Sequence, residues 1–103
     1  MSIQDVIKDQ VTKNKVVLYM KGSADFPQCG FSSNACNILR ACGVDDFHTV
    51  NVLEDPEIRS GIKEYANWPT IPQLYVNGEF VGGSDIMMEM YKSGELAKML
   101  QER

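Results

Sequence analysis

The sequence predicts an α/β protein built on a four-stranded mixed sheet with helices on both faces. Three observations carry this. Short β-branched and aromatic runs alternate with segments whose apolar residues recur at helical spacing. A strand–helix–strand unit early in the chain implies two parallel strands. Later, Asn77-Gly78 sits between two apolar runs, the pattern of a type I′ hairpin that adds two antiparallel strands.

Each element has a local reason. Ile3, Val6, Ile7 and Val11 recur at helical spacing within Met1 to Lys15, so a first helix is expected there. Val16-Val17-Leu18-Tyr19-Met20, flanked by Lys15 and Lys21, reads as a buried strand. Gly22 to Gln28 contains Gly22, Ser23 and Pro27 and reads as a loop. A helix opens at Cys29, carries Phe31, Ala35, Ile38, Leu39 and Cys42, and stops near Gly43. Phe47 to Val52 is the second strand. Asp55 is the expected N-cap of the next helix, with Pro56 at its first position; Ile58, Ile62 and Tyr65 continue it to about Ala66. Trp68-Pro69-Thr70-Ile71-Pro72 breaks it. Leu74-Tyr75-Val76 and Glu79-Phe80-Val81 form the hairpin arms. Gly82-Gly83-Ser84-Asp85 leads into a last helix interrupted near Gly94, with Ser84 as its expected N-cap and Asp85 in its positive first turn.

Composition bounds the function. At 103 residues the chain reads as a single domain, 1–103, with one core. Its net charge of −4, with no basic run, argues against nucleic acid or an anionic membrane surface as partner. No apolar stretch approaches a membrane span. The N-terminus has neither the apolar core of a secretion signal nor the Arg-rich, acid-poor look of a transit peptide. Three cysteines are an odd number without the density of a secreted disulfide scaffold, so a cytoplasmic location is expected.

The chemistry centres on Cys29-Gly30-Phe31-Ser32. The spacing is that of a thiol-redox Cys-x-x-Cys motif, with Ser32 where the second sulfur would be. A thiol at a helix N-terminus lies near unpaired N–H groups and the positive end of the dipole. Both favour thiolate, the form that attacks disulfides and ligates metals. Ser32 cannot resolve a mixed disulfide, so Cys29 needs a sulfur from outside its own chain or does something other than dithiol chemistry. Cys36 and Cys42, on the helix body, read as packing residues. His48 reads as structural or exposed, and Trp68 as a packing residue. Met87, Met88 and Met90 read as a helix face, part core and part surface.

In this order, Lys21-Gly22-Ser23, Pro27, Cys29-Gly30-Phe31-Ser32, Trp68-Pro69-Thr70-Ile71-Pro72 and Gly82-Gly83-Ser84-Asp85 resemble the monothiol, CGFS-type glutaredoxins of the thioredoxin fold. The resemblance is nearly full length. Seven residues separate Lys21 from Cys29, as in the extended active-site loop of that class. It implies a glutathione site beside Cys29. Lys21 and Arg59 would face the glycine carboxylate, and the backbone of Ile71 would pair with the cysteinyl amides beside a cis Pro72. Ser84 and Asp85 would clamp the γ-glutamyl end, with Gly83 beside them in the binding set. Phe31 would lie at the exposed rim, facing a partner chain.

The resemblance further implies a 2Fe-2S cluster carrier. A cluster usually takes four thiolates. Cys29 from each of two chains and two glutathiones would complete the set, so the homodimer is expected only with cluster bound. BolA-like proteins and apo iron–sulfur clients are the implied partners. The alternative implied function is glutathione-dependent thiol–disulfide exchange, the monothiol removal of glutathione from proteins, expected to be slow. One departure matters: many CGFS relatives carry a second cysteine where this chain has Ser84. A disulfide cycle through that position is therefore closed to it.

Overall fold

A computed structural model describes residues 2–103. Its elements, in order, are α1 (Ile3–Lys13), β1 (Val16–Met20), α2 (Gly30–Ala41), β2 (His48–Asn51), α3 (Pro56–Tyr65), β3 (Gln73–Val76), β4 (Glu79–Gly82), α4 (Ser84–Ser93) and α5 (Glu95–Gln101). The sheet runs β2-β1-β3-β4, with β1 and β2 parallel and the other pairs antiparallel.

The strand period of two sorts the core into two layers. Leu18 and Met20 face one way, into a cluster with Ala35, Leu39, Met87, Leu96 and Leu100, so α2, α4 and α5 cover that face. Val17 and Tyr19 face the other way, toward Ile7, Val11, Ile58 and Ile62 of α1 and α3. All five residues of β1 are buried, as its unbroken apolar run requires. Tyr75 sits on the second face among Tyr19, Tyr65 and Phe80, with ring centroids 5.5 to 5.9 Å away.

Helix ends follow their capping chemistry. Ser2 and Asp5 form a reciprocal capping box at the start of α1. Asp55 Oδ1 accepts from the amides of Glu57 and Ile58 at 3.0 and 3.4 Å, with Pro56 in the first helical position, as expected. The hairpin turn has φ of 53° at Asn77 and 83° at Gly78, the two positive angles a type I′ turn demands.

Two boundaries differ from expectation. The second strand is His48–Asn51, not Phe47–Val52. It is a sheet edge, and the Phe47 ring is engaged by Arg40, whose guanidinium lies 6.0 Å from its centroid. Val52 is buried and its amide still donates to Met20, at 2.9 Å. The N-cap of α4 is Gly83, not Ser84: Gly83 is extended, its carbonyl accepts from Met87 at 2.9 Å, and Ser84 is already helical.

Candidate functional site

The end of β1, the start of α2, the Trp68–Pro72 segment and the start of α4 gather at one end of the sheet. Lys21 leaves β1 and enters a loop folded back on itself. The Gln28 amide donates to the Lys21 carbonyl at 2.9 Å, Ser23 to Phe26 at 3.3 Å, and Gly22 bridges Pro27. Gly22 has φ +90°, and a Cβ there would lie 2.4 Å from the Phe26 carbonyl oxygen, so the loop closes only with glycine. Asn51, at the end of β2, anchors it: Oδ1 accepts from the amides of Gly22 and Leu53, each at 3.0 Å.

Ser32 is fully buried, and its hydroxyl accepts from the Lys21 amide at 3.1 Å. The residue in place of a second sulfur therefore ties the first turn of α2 to the end of β1. Cys29 is the N-cap of α2, extended and half-buried, and its sulfur makes no standard capping hydrogen bond. The neighbourhood still favours thiolate. The Ser32 amide lowers the thiol pKa most, against the upward push of burial; the Phe31 amide, the Lys21 charge and the Ser32 hydroxyl lower it further. Burial raises the other two thiols, that of Cys36 against the opposing pull of Arg40. Cys36 is buried, with its sulfur 3.6 Å from that of Met20. Both read as packing residues in the sequence, and neither joins the site.

A cleft of about 370 Å³ opens beside Cys29. Lys21, Arg59, Ile71, Pro72, Gly83, Ser84 and Asp85, all predicted from sequence, line it together. Cys29 does not line it; the adjoining Phe31 does, 63% exposed, at the rim where it was expected. The Ile71–Pro72 peptide bond is cis, as the resemblance implied. Ser84 is buried and Asp85 exposed in the first turn of α4, which no side chain caps. His48 is exposed and distant in the fold, at the start of β2.

Three contributors escaped the sequence reading. Lys63 lines the cleft with Lys21 and Arg59. It lies four residues after Arg59 on α3, so helical spacing was the signal that could have found it. Trp68 packs on Phe80 at 5.5 Å, as a packing residue should, but it is also part of the cleft wall. Gln73 is wholly buried, and its Nε2 donates to the carbonyls of Trp68 and Thr70 at 3.0 and 3.3 Å. Its Oε1 accepts from the Tyr75 hydroxyl at 3.0 Å. Gln73 thus fastens the wall segment to β3, a role visible only once the chain is folded.

Charge is divided along the cleft. Among the described residues the only ion pair is Lys13–Asp9, so Lys21, Arg59 and Lys63 carry no carboxylate partner. The α4 N-terminus also borders the cleft, with its dipole unsatisfied by a side chain. Such a cleft suits an extended ligand with an anionic group at each end, laid against peptide backbone in its middle.

Comparison with known proteins agrees with this geometry. The Glutaredoxin family model matches residues 16–81. A ycf64-like monothiol glutaredoxin of Synechocystis sp. is 62% identical over 95 residues, 92% of this chain and 88% of the relative. Glutaredoxin 4 of Escherichia coli K12 is 51% identical over 96 residues, 93% of this chain and 83% of the relative. The solution structure of reduced apo GrxS14 from poplar superposes with a TM-score of 0.85 at 50% identity, covering 97% of this chain and 91% of that one. The sheet and its flanking helices are therefore the thioredoxin fold, and the chain belongs to the glutaredoxin family, in its monothiol branch.

Proposed function

We propose that the protein binds glutathione in this cleft and carries a 2Fe-2S cluster held between two protomers. The observation that carries the reading is a lone thiol shifted toward thiolate, beside a cleft lined by unpaired cations and an open helix N-terminus. Lys21 and Arg59, joined by Lys63, suit the glycine carboxylate. The Ile71 backbone beside Pro72 suits the cysteinyl amides. Gly83, Ser84 and Asp85 suit the γ-glutamyl end, where the helix N-terminus takes its carboxylate and Asp85 its amine.

The donor set argues for a shared cluster. No group of three or more His, Cys, Asp or Glu side chains is assembled among the described residues, and neither Cys36 on α2 nor Cys42 at its C-cap lines the cleft. One chain thus offers one thiolate where a cluster takes four. A second protomer and two glutathione thiolates complete the count. Half of that ligation is dissociable, which suits transfer to an apo iron–sulfur client or sharing with a BolA-like partner. The cluster here is cargo.

The test is anaerobic reconstitution with iron, sulfide and glutathione. A visible chromophore and a doubling of mass are expected for the wild type, and neither for Cys29→Ser. Chromophore and dimer formed equally in that variant, or without glutathione, would overturn the proposal.

A second reading rests on the absence of a resolving sulfur at Ser32. The Cys29 thiolate attacks the glutathione sulfur of a protein mixed disulfide, forming Cys29–glutathione disulfide and releasing the protein thiolate. A second glutathione thiolate then attacks the glutathione sulfur of that disulfide, forming oxidised glutathione and releasing the Cys29 thiolate. Steady-state turnover equal to that of dithiol glutaredoxins would favour this reading over the carrier.

A further inference from the structure

We infer that Trp68 is a positioning residue: its indole edge, with the Pro72 carbonyl, crowds position 83 against side chains, and so keeps the N-terminus of α4 open to a ligand carboxylate. The inference rests on the glutathione reading above.

Gly83 is the N-cap of α4, with φ −90° and ψ −167°. Any residue adopts those angles, and Ser, Thr, Asp or Asn would cap the helix better. Backbone conformation therefore does not require glycine here; the tight space beside it favours glycine. A Cβ at position 83 would lie 3.3 Å from the Pro72 carbonyl oxygen and 3.3 Å from Trp68 Nε1. Neither neighbour yields easily. Pro72 O is backbone beside β3, and the indole is backed by Phe80 at 5.5 Å. The Trp68 carbonyl is held by Gln73 at 3.0 Å.

The indole itself is costly. Its Nε1 is buried and has no hydrogen-bond partner. A phenyl ring would stack on Phe80 without burying that donor. What the indole adds is bulk in the gap beside Gly83. A residue able to cap α4 would turn its own oxygen onto the first free amides. Glycine leaves them without an internal partner, and among the described residues the amides of Ser84 and Asp85 form no hydrogen bond within the protein. The chain forgoes a cap and tolerates an orphan donor at one seam, and both leave the same helix end open.

The test is a double-mutant cycle of Gly83→Ala and Trp68→Phe, read by calorimetric binding of reduced glutathione and of cysteinylglycine, which lacks the γ-glutamyl group. Gly83→Ala, whose methyl presses on the indole and the Pro72 carbonyl at the helix end, is expected to weaken glutathione about tenfold and to leave cysteinylglycine unchanged. In the Trp68→Phe background the same substitution should lose less than half as much. Equal losses in both backgrounds, or equal losses for both ligands, would overturn the inference. Thermal melts of the four proteins read the seam without ligand: the fall in Tm from Gly83→Ala should shrink when residue 68 is phenylalanine. If the wild type binds neither ligand, the glutathione reading fails. The melts then decide the seam, and an undiminished fall rejects it.

Discussion

Ser32 and Lys63 show how much a single side chain decides in this site. Ser32 is a hydroxyl at the position of a resolving sulfur, yet it is fully buried and accepts from the Lys21 amide at 3.1 Å. It also helps to favour the Cys29 thiolate, although the Ser32 amide contributes more. The sign is plain: a lowered thiol pKa means that thiolate persists to lower pH. Alkylation of Cys29 by iodoacetamide should therefore have its pH midpoint below that of free cysteine, and Lys21→Gln should move it upward. A midpoint at or above the free value would contradict the site's electrostatics. Lys63 makes a third cation beside Lys21 and Arg59. Lys63→Gln should weaken glutathione binding by about threefold to tenfold, as losing a partly solvated charge–carboxylate contact does, without changing the melting temperature. Calorimetry and a thermal melt on the same sample check both halves.

At the level of elements, local chemistry and tertiary packing divide the sequence's legibility. Where the cause is local, the reading holds. Asp55-Pro56 starts α3, Asn77-Gly78 makes the hairpin turn, and Gly94, with φ 85°, separates α4 from α5. The helix ends at Ala41, with Gly43 just beyond at φ 85°. Where distant segments decide, it fails. Serine is the better cap by local preference, but the α4 cap falls on Gly83, in the narrow space between Trp68 and Pro72. Phe47 looks like strand and instead stacks with Arg40. The predicted residues that line the cleft were legible because the resemblance named them. Lys63 and Gln73 were not, since one needs the helix placed against the cleft and the other needs β3 beside its wall. Two substitutions test these elements. Asp55→Ala should cost about 1 kcal/mol of stability in urea unfolding, the usual loss for an N-cap. Gly22→Ala should be worse for the site than for the core. The Cβ would collide with the Phe26 carbonyl at 2.4 Å, opening the loop and raising amide exchange at Ser23 and Gln28 while the sheet amides stay protected.

Across the whole molecule, charge is distributed against the net balance. The protein carries −4 overall, yet its cleft gathers three cations without carboxylate partners. An anionic ligand in the cleft would therefore meet local attraction on a surface that otherwise repels it. Exposed charges are screened over about 8 Å at physiological ionic strength. Glutathione affinity should accordingly fall several-fold between 20 mM and 500 mM salt, mainly through slower association, and stopped-flow fluorescence of Trp68 would follow it. Salt-independent affinity would mean the cations are spectators. No helix among the described residues is long and apolar enough to cross a membrane.

Gln73 carries a consequence for how any guest is received. Its buried amide rivets one side of the binding groove to the central sheet before a guest arrives. The loss of chain freedom along that side belongs to folding, not to docking. Empty and filled forms should thus superpose there, and a guest's affinity should rest on contacts made more than on motion quenched.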